Sequence, residues 1–223
     1  MKSDVAVKRE YRSPRRDALR RQTRRAILDA AGRLFAERGY VGTSFEAVAN
    51  AAGVGRATVF AHFASKSILL KAAYDVVLVG DDEPVALPDR PESIRVRAEP
   101  DARRFLAGYA GIAADALGRL GPIHEAIRGA AGVDPDAAAV LQAVRAERRR
   151  GGGNIVAAIR ERGALREDAD PGHLADAVYA LIDPAVYTTL VVERGWSHEA
   201  YVTWLGETLA QQLIGPDEAR PPG

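Results

Sequence analysis

Between Gly55 and Lys66 the chain reads GRATVFAHFASK, and its polar side chains are of types that donate hydrogen bonds. Arg56 carries a planar fork of N–H groups matching the O6 and N7 acceptors of guanine; Thr58 and His62 can reach phosphate oxygens, and Lys66 brings a point charge. Val59 and Phe63 are four residues apart and apolar, so a helix beginning at Arg56 docks that edge inward. Arg56, Ala57, Thr58, Ala61 and His62 then point outward. Short side chains and donors at the start of a helix suit entry into the DNA major groove.

So short a helix must be held by its neighbours. In GTSFEAVANAAGV, Thr43 and Glu46 have the spacing of a capping box, which predicts a helix over 44–51 with Phe45, Val48, Ala49 and Ala52 as its apolar face. Gly53 supplies the left-handed residue that closes it, Val54 packs in the turn, and two short helices so joined make a helix-turn-helix. Upstream, Ile27, Leu28, Ala31, Leu34 and Phe35 form one helical stripe starting near Thr23 and stopped by Gly39. Arg20, Arg21, Arg24 and Arg25 crowd the start of that helix, where each opposes the macrodipole by about 0.3–1 kcal/mol when exposed. That arrangement favours an anionic partner. Downstream, SKSILLKAAYDVVLVG predicts a longer helix with Ile68, Leu69, Ala72 and Val76 inward.

The charge is divided in the same sense. Residues 1–66 hold 14 Lys and Arg against 6 Asp and Glu, a balance of +8, whereas the remainder balances at −7. Such asymmetry points to a polyanion bound by the first segment. With no cysteine there is no disulfide frame, thiolate metal site or thiol nucleophile, which suits a reducing, cytoplasmic setting. No secretory apolar core and no transmembrane-length apolar run is present, so no membrane partner is expected. The four histidines (His62, His124, His173, His198) lack a His or Cys partner at helical ligand spacing, and no nucleophile elbow, zinc-protease or P-loop motif occurs. The expectation is no catalytic residue, no metal and no cofactor.

The rest reads as helix without strand: an all-α chain. Four prolines make 81–100 an irregular loop; a helix spans 101–120, a short element 122–128, and a long helix 135–162 opened by Asp134 and interrupted at Gly151–Gly153, by a hinge or a close helix crossing. Pro184 should kink a helix over 171–193, and Ser197 caps a last helix ending at Ile214. The domains expected are a disordered basic arm (1–19), a helix-turn-helix DNA-binding domain (20–66), a helical ligand-binding and dimerisation domain (67–215) and a disordered tail (216–223).

Residues 24–73 resemble the DNA-binding segment of tetracycline-repressor (TetR) type transcriptional regulators. The likeness rests on Leu-Phe-Ala-Glu-Arg-Gly at 34–39, Thr-Ser at 43–44, Ala-Gly-Val at 52–54 and Ser-Lys at 65–66; a looser one covers VYALIDPAVYTTLVVERGWSHEAYVTWL. Two residues depart from the pattern. Phe60 stands where Tyr is frequent, losing a hydroxyl but free to pack on a sugar or thymine methyl; Gly55 stands where Ser or Thr caps the recognition helix, at a cost of about a few tenths of a kcal/mol.

The resemblance implies a homodimer that binds a palindromic double-stranded operator and is released when an unknown small-molecule effector enters a pocket above the DNA-binding segment. The DNA-contact candidates are Arg24, Arg25, Thr43, Ser44, Arg56, Ala57, Thr58, Phe60, His62 and Lys66. Aromatic or polar residues on otherwise apolar helices nominate Phe105, Tyr109, Ile112, His124, Tyr179, Asp183 and Tyr187 for the pocket; Asp183 must find a partner, or serve the turn before Pro184. Apolar stripes nominate Val186, Leu190, Val191, Tyr201, Trp204, Leu205 and Leu209 for the dimer face. The competing reading is an architectural protein that binds DNA without sequence preference.

Overall fold

The computed structural model describes residues 14–81, 83 and 85–215. Among them there is no strand, only one isolated antiparallel bridge between Leu165 and Ile214. The helices are α1 (Pro14–Arg38), α2 (Phe45–Ala52), α3 (Arg56–His62), α4 (Lys66–Val79), α5 (Pro91–Arg97), α6 (Ala102–Ala130), α7 (Pro135–Glu161), α8 (Pro171–Leu181), α9 (Pro184–Tyr187) and α10 (His198–Leu213).

Helix α1 begins well before Thr23, inside the stretch expected to be a disordered arm. Asp17 lies in its first turn, favourable to the dipole, and Ala18, Leu19, Arg20, Arg21 and Gln22 are all strong helix formers. The remainder of the expected arm (1–13) and the expected tail (216–223) lie outside the described residues. Gly39 and Gly53, at φ +68° and +66°, close α1 and α2 as their positions predict. The N-cap of α2 is Ser44, not Thr43: the Ser44 side chain accepts from the Ala47 N–H at 3.1 Å.

Three expected breaks are resolved differently. The loop at 81–100 contains α5 and a 3₁₀ turn (Leu87–Asp89), clasped by paired hydrogen bonds from Arg90 to Asp81. Helix α6 runs through Pro122 without ending, because residues on both sides of it are buried. Helix α7 runs through Gly151–Gly153. A Cβ on Gly152 would lie 2.7 Å from the Ala175 carbonyl oxygen, so the glycine permits a close crossing of α7 and α8. At Pro184 the chain does break, α8 and the segment from Pro184 meeting at 48°, and α9 continues into a π-helical turn, Thr188–Glu193.

Two apolar cores form. The first joins α1–α4 to the C-terminal half of α6 (Leu120, Ile123, Ile127) and the N-terminal half of α7 (Val140, Leu141, Val144). The second joins the other halves of α6 and α7 to α8 and α10. Within α4 the buried residues are Leu69, Leu70, Ala73 and Tyr74; Ile68 is 52% exposed, so the inward face is turned from that expected. The turn follows from α4 serving three partners, α1, α6 and α7, where a single stripe would serve one.

Candidate nucleic-acid interface and adjoining cavity

Helix α3 is too short to be stable alone and is fixed by its apolar edge. Val59 and Phe63 are buried, and the Phe63 N–H donates to the Val59 carbonyl at 2.8 Å. Arg56, Ala57, Phe60 and Ala61 are exposed, with Thr58 and His62 half-buried beside them. Phe60 is propped edge-on by Phe45 of α2, ring centres 4.5 Å apart, and the Arg56 guanidinium lies 5.4 Å from the Phe60 ring. An exposed aromatic beneath an exposed arginine gives α3 an outer edge that is both apolar and donor-rich.

The start of α1 reaches the same place. Arg24 lies over the Phe63 ring at 4.8 Å. Burial first, then the charges of Arg20 and Arg24, hold the His62 imidazole below its ordinary pKa, so it is neutral at pH 7. Arg20 therefore belongs to this patch although it was not singled out as a contact; its spacing from Arg24 is the signal that identifies it. Arg25 pairs with Asp29 at 2.8 Å.

Two expected contacts take other roles. Thr43 is 1% exposed, its hydroxyl 3.0 Å from the Leu34 carbonyl oxygen and 2.9 Å from that of Gly39. It ties off the end of α1 and is not available to DNA, because the tight turn after Gly39 folds it inward. Lys66 is half-buried: its ammonium donates to the Tyr40 carbonyl at 2.9 Å and sits 4.0 Å from the Tyr40 ring centre.

Above the first core lies a cavity of about 190 Å³, walled by α4 (Tyr74, Leu78), α6 (Tyr109, Ile112, Leu117), α7 (Val144, Arg148) and the α8–α9 break (Ile182, Pro184). A neighbouring space of about 370 Å³ shares Leu87, Tyr109, Ile112 and Gly151 and is lined by Phe105. Of the residues nominated for a pocket, Phe105, Tyr109 and Ile112 line these two cavities, and four others do not. His124 is buried 3.9 Å from Asp183. Asp183 is ion-paired to Arg148 and caps α9, accepting from the Ala185 N–H at 2.9 Å, so its partner and its turn role are both real. The centre of the Tyr179 ring lies 4.4 Å from the Arg148 guanidinium. Tyr187 turns to α10, its hydroxyl 3.1 Å from His198 Nδ1. A polar residue on an apolar helix can satisfy itself within the wall, as Asp183 and Tyr187 do, whereas His124 Nδ1 is buried without a hydrogen-bond partner. Arg148 and Tyr74, by contrast, face the cavity and were missed, hidden in an arginine run and among α4 core residues.

Of the expected dimer residues, Tyr201, Leu205 and Leu209 are fully buried in the chain's own second core. Periodicity marks a buried face without saying what buries it, and here α6 does. Val186, Leu190, Val191 and Trp204 remain half-buried, next to exposed Val192 and Trp196.

Among the described residues no cluster of three potential ligands could hold a metal ion, and no single helix is long and apolar enough to cross a membrane. No curated protein matches the chain. The sequence model described as bacterial regulatory proteins, tetR family, matches residues 27–73. Three solved structures share the fold. NalD, the secondary repressor of the MexAB-OprM efflux pump in Pseudomonas aeruginosa, is 24% identical with a TM-score of 0.62, covering 86% of this chain and 97% of its own. SmeT in complex with triclosan is 23% identical with a TM-score of 0.64, covering 90% and 95%. The transcriptional regulator FadR from Bacillus subtilis, in complex with stearoyl-CoA, is 18% identical with a TM-score of 0.67, covering 84% and 97%. The N-terminal segment of the chain thus matches the sequence model of the tetR family, and 84–90% of the chain takes the fold of these three regulators.

Proposed function

We propose that the protein is a transcriptional repressor that binds a palindromic DNA operator as a homodimer and is released by a small molecule held in the cavity. The observation that carries this reading is the outer edge of α3: Arg56, Ala57, Thr58, Phe60 and His62 stand together beside Arg20 and Arg24, on a helix locked from behind by Val59 and Phe63. Arg56 reads a guanine and Phe60 meets an apolar edge; Ser44 and the α1 arginines hold phosphates. Two such helices, set by the dimer about 34 Å apart, enter successive turns of the major groove.

The effector acts through α4. Its Tyr74 and Leu78 wall the cavity, and its first residue, Lys66, holds the turn before α2. A ligand that displaces the cavity end of α4 therefore moves the base of the DNA-binding unit. The dimer face is formed by Val186, Leu190, Val191 and Trp204, continued by Val192 and Trp196; Leu190→Asp yields monomers by sedimentation with a folded helical spectrum. The reading is tested by selecting bound duplexes from a random pool at moderate salt. An inverted repeat is the expected product. Recovery of no preferred sequence would overturn the repressor reading in favour of non-specific binding.

A further inference from the structure

We propose that the cavity takes a compact, uncharged molecule with an apolar body and one hydrogen-bond-accepting oxygen, which Arg148 holds; this rests on reading the cavity as the effector's site. At about 190 Å³ the space between Tyr74, Ile112, Leu117, Val144 and Ile182 is of the right order, since an apolar void of about 150 Å³ admits a benzene ring.

The charges on its wall select against ions. Two ionic side chains reach it, Glu147 and Arg148, and each is already balanced: Glu147 lies 3.0 Å from Lys71 Nζ, and Arg148 is paired with Asp183. An added carboxylate meets a guanidinium that already has its counter-charge and two acidic groups nearby. An added cation meets Arg148. Either loses its hydration without a free opposite charge to replace it.

Arg148 also selects for an acceptor. Its side chain is 10% exposed, and Nε and Nη1 have no hydrogen-bond partner; the Tyr179 ring at 4.4 Å covers the guanidinium face but leaves the in-plane N–H groups unsatisfied. Arg148 is itself one of the residues that line the cavity. A buried charged donor without an acceptor is costly, so a ligand oxygen that draws the guanidinium edge to the wall makes a bond the protein leaves unmade. A hydrocarbon of the same shape cannot.

Three near-isosteric probes separate these terms: acetophenone (neutral acceptor), ethylbenzene (no acceptor) and benzoate (anion), titrated calorimetrically into the full-length protein. Acetophenone is expected to bind at least about tenfold more tightly than either of the others, about 1.4 kcal/mol. The double variant Arg148→Met/Asp183→Asn, which removes the pair without leaving a lone charge, brings acetophenone down to the level of ethylbenzene. Val144→Trp, which fills the space and leaves Arg148 in place, abolishes binding of all three. Equal affinities or a preference for benzoate, each lost in Val144→Trp, overturns the inference and leaves the cavity's effector role standing; binding that survives Val144→Trp overturns the inference by placing the probes elsewhere. Failure of all three probes to bind overturns both.

Discussion

The ammonium of Lys66, the first residue of α4, donates to the carbonyl oxygen of Tyr40 at 2.9 Å and rests 4.0 Å from the centre of its ring. One side chain thus joins the turn after α1 to the junction of α3 and α4. Lys66 is an internal strut between these two turns.

Lys66→Met keeps the aliphatic stem and removes both interactions. Urea unfolding is expected to show a loss of about 1–2 kcal/mol, from a hydrogen bond to a charged donor and a cation–π contact. The slope of log binding constant against log salt stays the same; a drop of about one unit would instead make Lys66 a phosphate contact.

Arg56 is exposed on α3 and supports no buried group, so Arg56→Ala leaves the thermal midpoint unchanged. Discrimination among operator variants at one base pair falls by about 1–3 kcal/mol, measured by competition binding. Equal discrimination by both proteins removes Arg56 as the base reader.

His124 is buried, and burial, outweighing the Asp183 carboxylate, lowers its pKa; Arg148 and Arg128 push the same way, and Glu125 opposes them. The unfolded imidazole titrates near 6.5, so below that pH the unfolded chain binds more protons than the folded one. Stability is fully held above about pH 6.5 and is lost as the pH falls toward the lowered folded value. Denaturant titrations at a series of pH values should show that loss in the natural protein and a shallower one in His124→Gln.

Neighbouring glycines on α7 give opposite outcomes. In Gly152→Ala the new methyl falls 2.7 Å from the Ala175 carbonyl oxygen, forcing α7 and α8 apart and costing about 1–3 kcal/mol. In Gly153→Ala nothing lies within 4 Å of it, and the helix gains about 0.5–1 kcal/mol. Thermal unfolding of the two variants checks the contrast.

The helix-turn-helix was legible because its signals are local. Gly39 and Gly53 mark left-handed closures, and Val59 with Phe63 marks the docked edge of α3, whatever the remainder of the chain does. Thr43 misled because a capping residue and a buried turn residue share the same chemistry; only the path of the backbone decides between them. The cavity was less legible for a related reason. Asp183 was rightly marked as needing a partner, but the partner, Arg148, stands 35 residues away in an arginine run that reads as solvated surface. Tyr201, Leu205 and Leu209 form a clear stripe, yet a stripe facing α6 and one facing a second subunit are written alike.

Leu120, Ile123 and Ile127 of α6 belong with α1–α4, while Phe105, Leu106 and Ala110 of the same helix belong with α8 and α10; α7 is divided likewise. A cut after α4 divides the first apolar core between the two pieces. A fragment ending after α4 would take Tyr74 away from His124 of α6, and heating the intact protein should melt both halves together in one calorimetric peak.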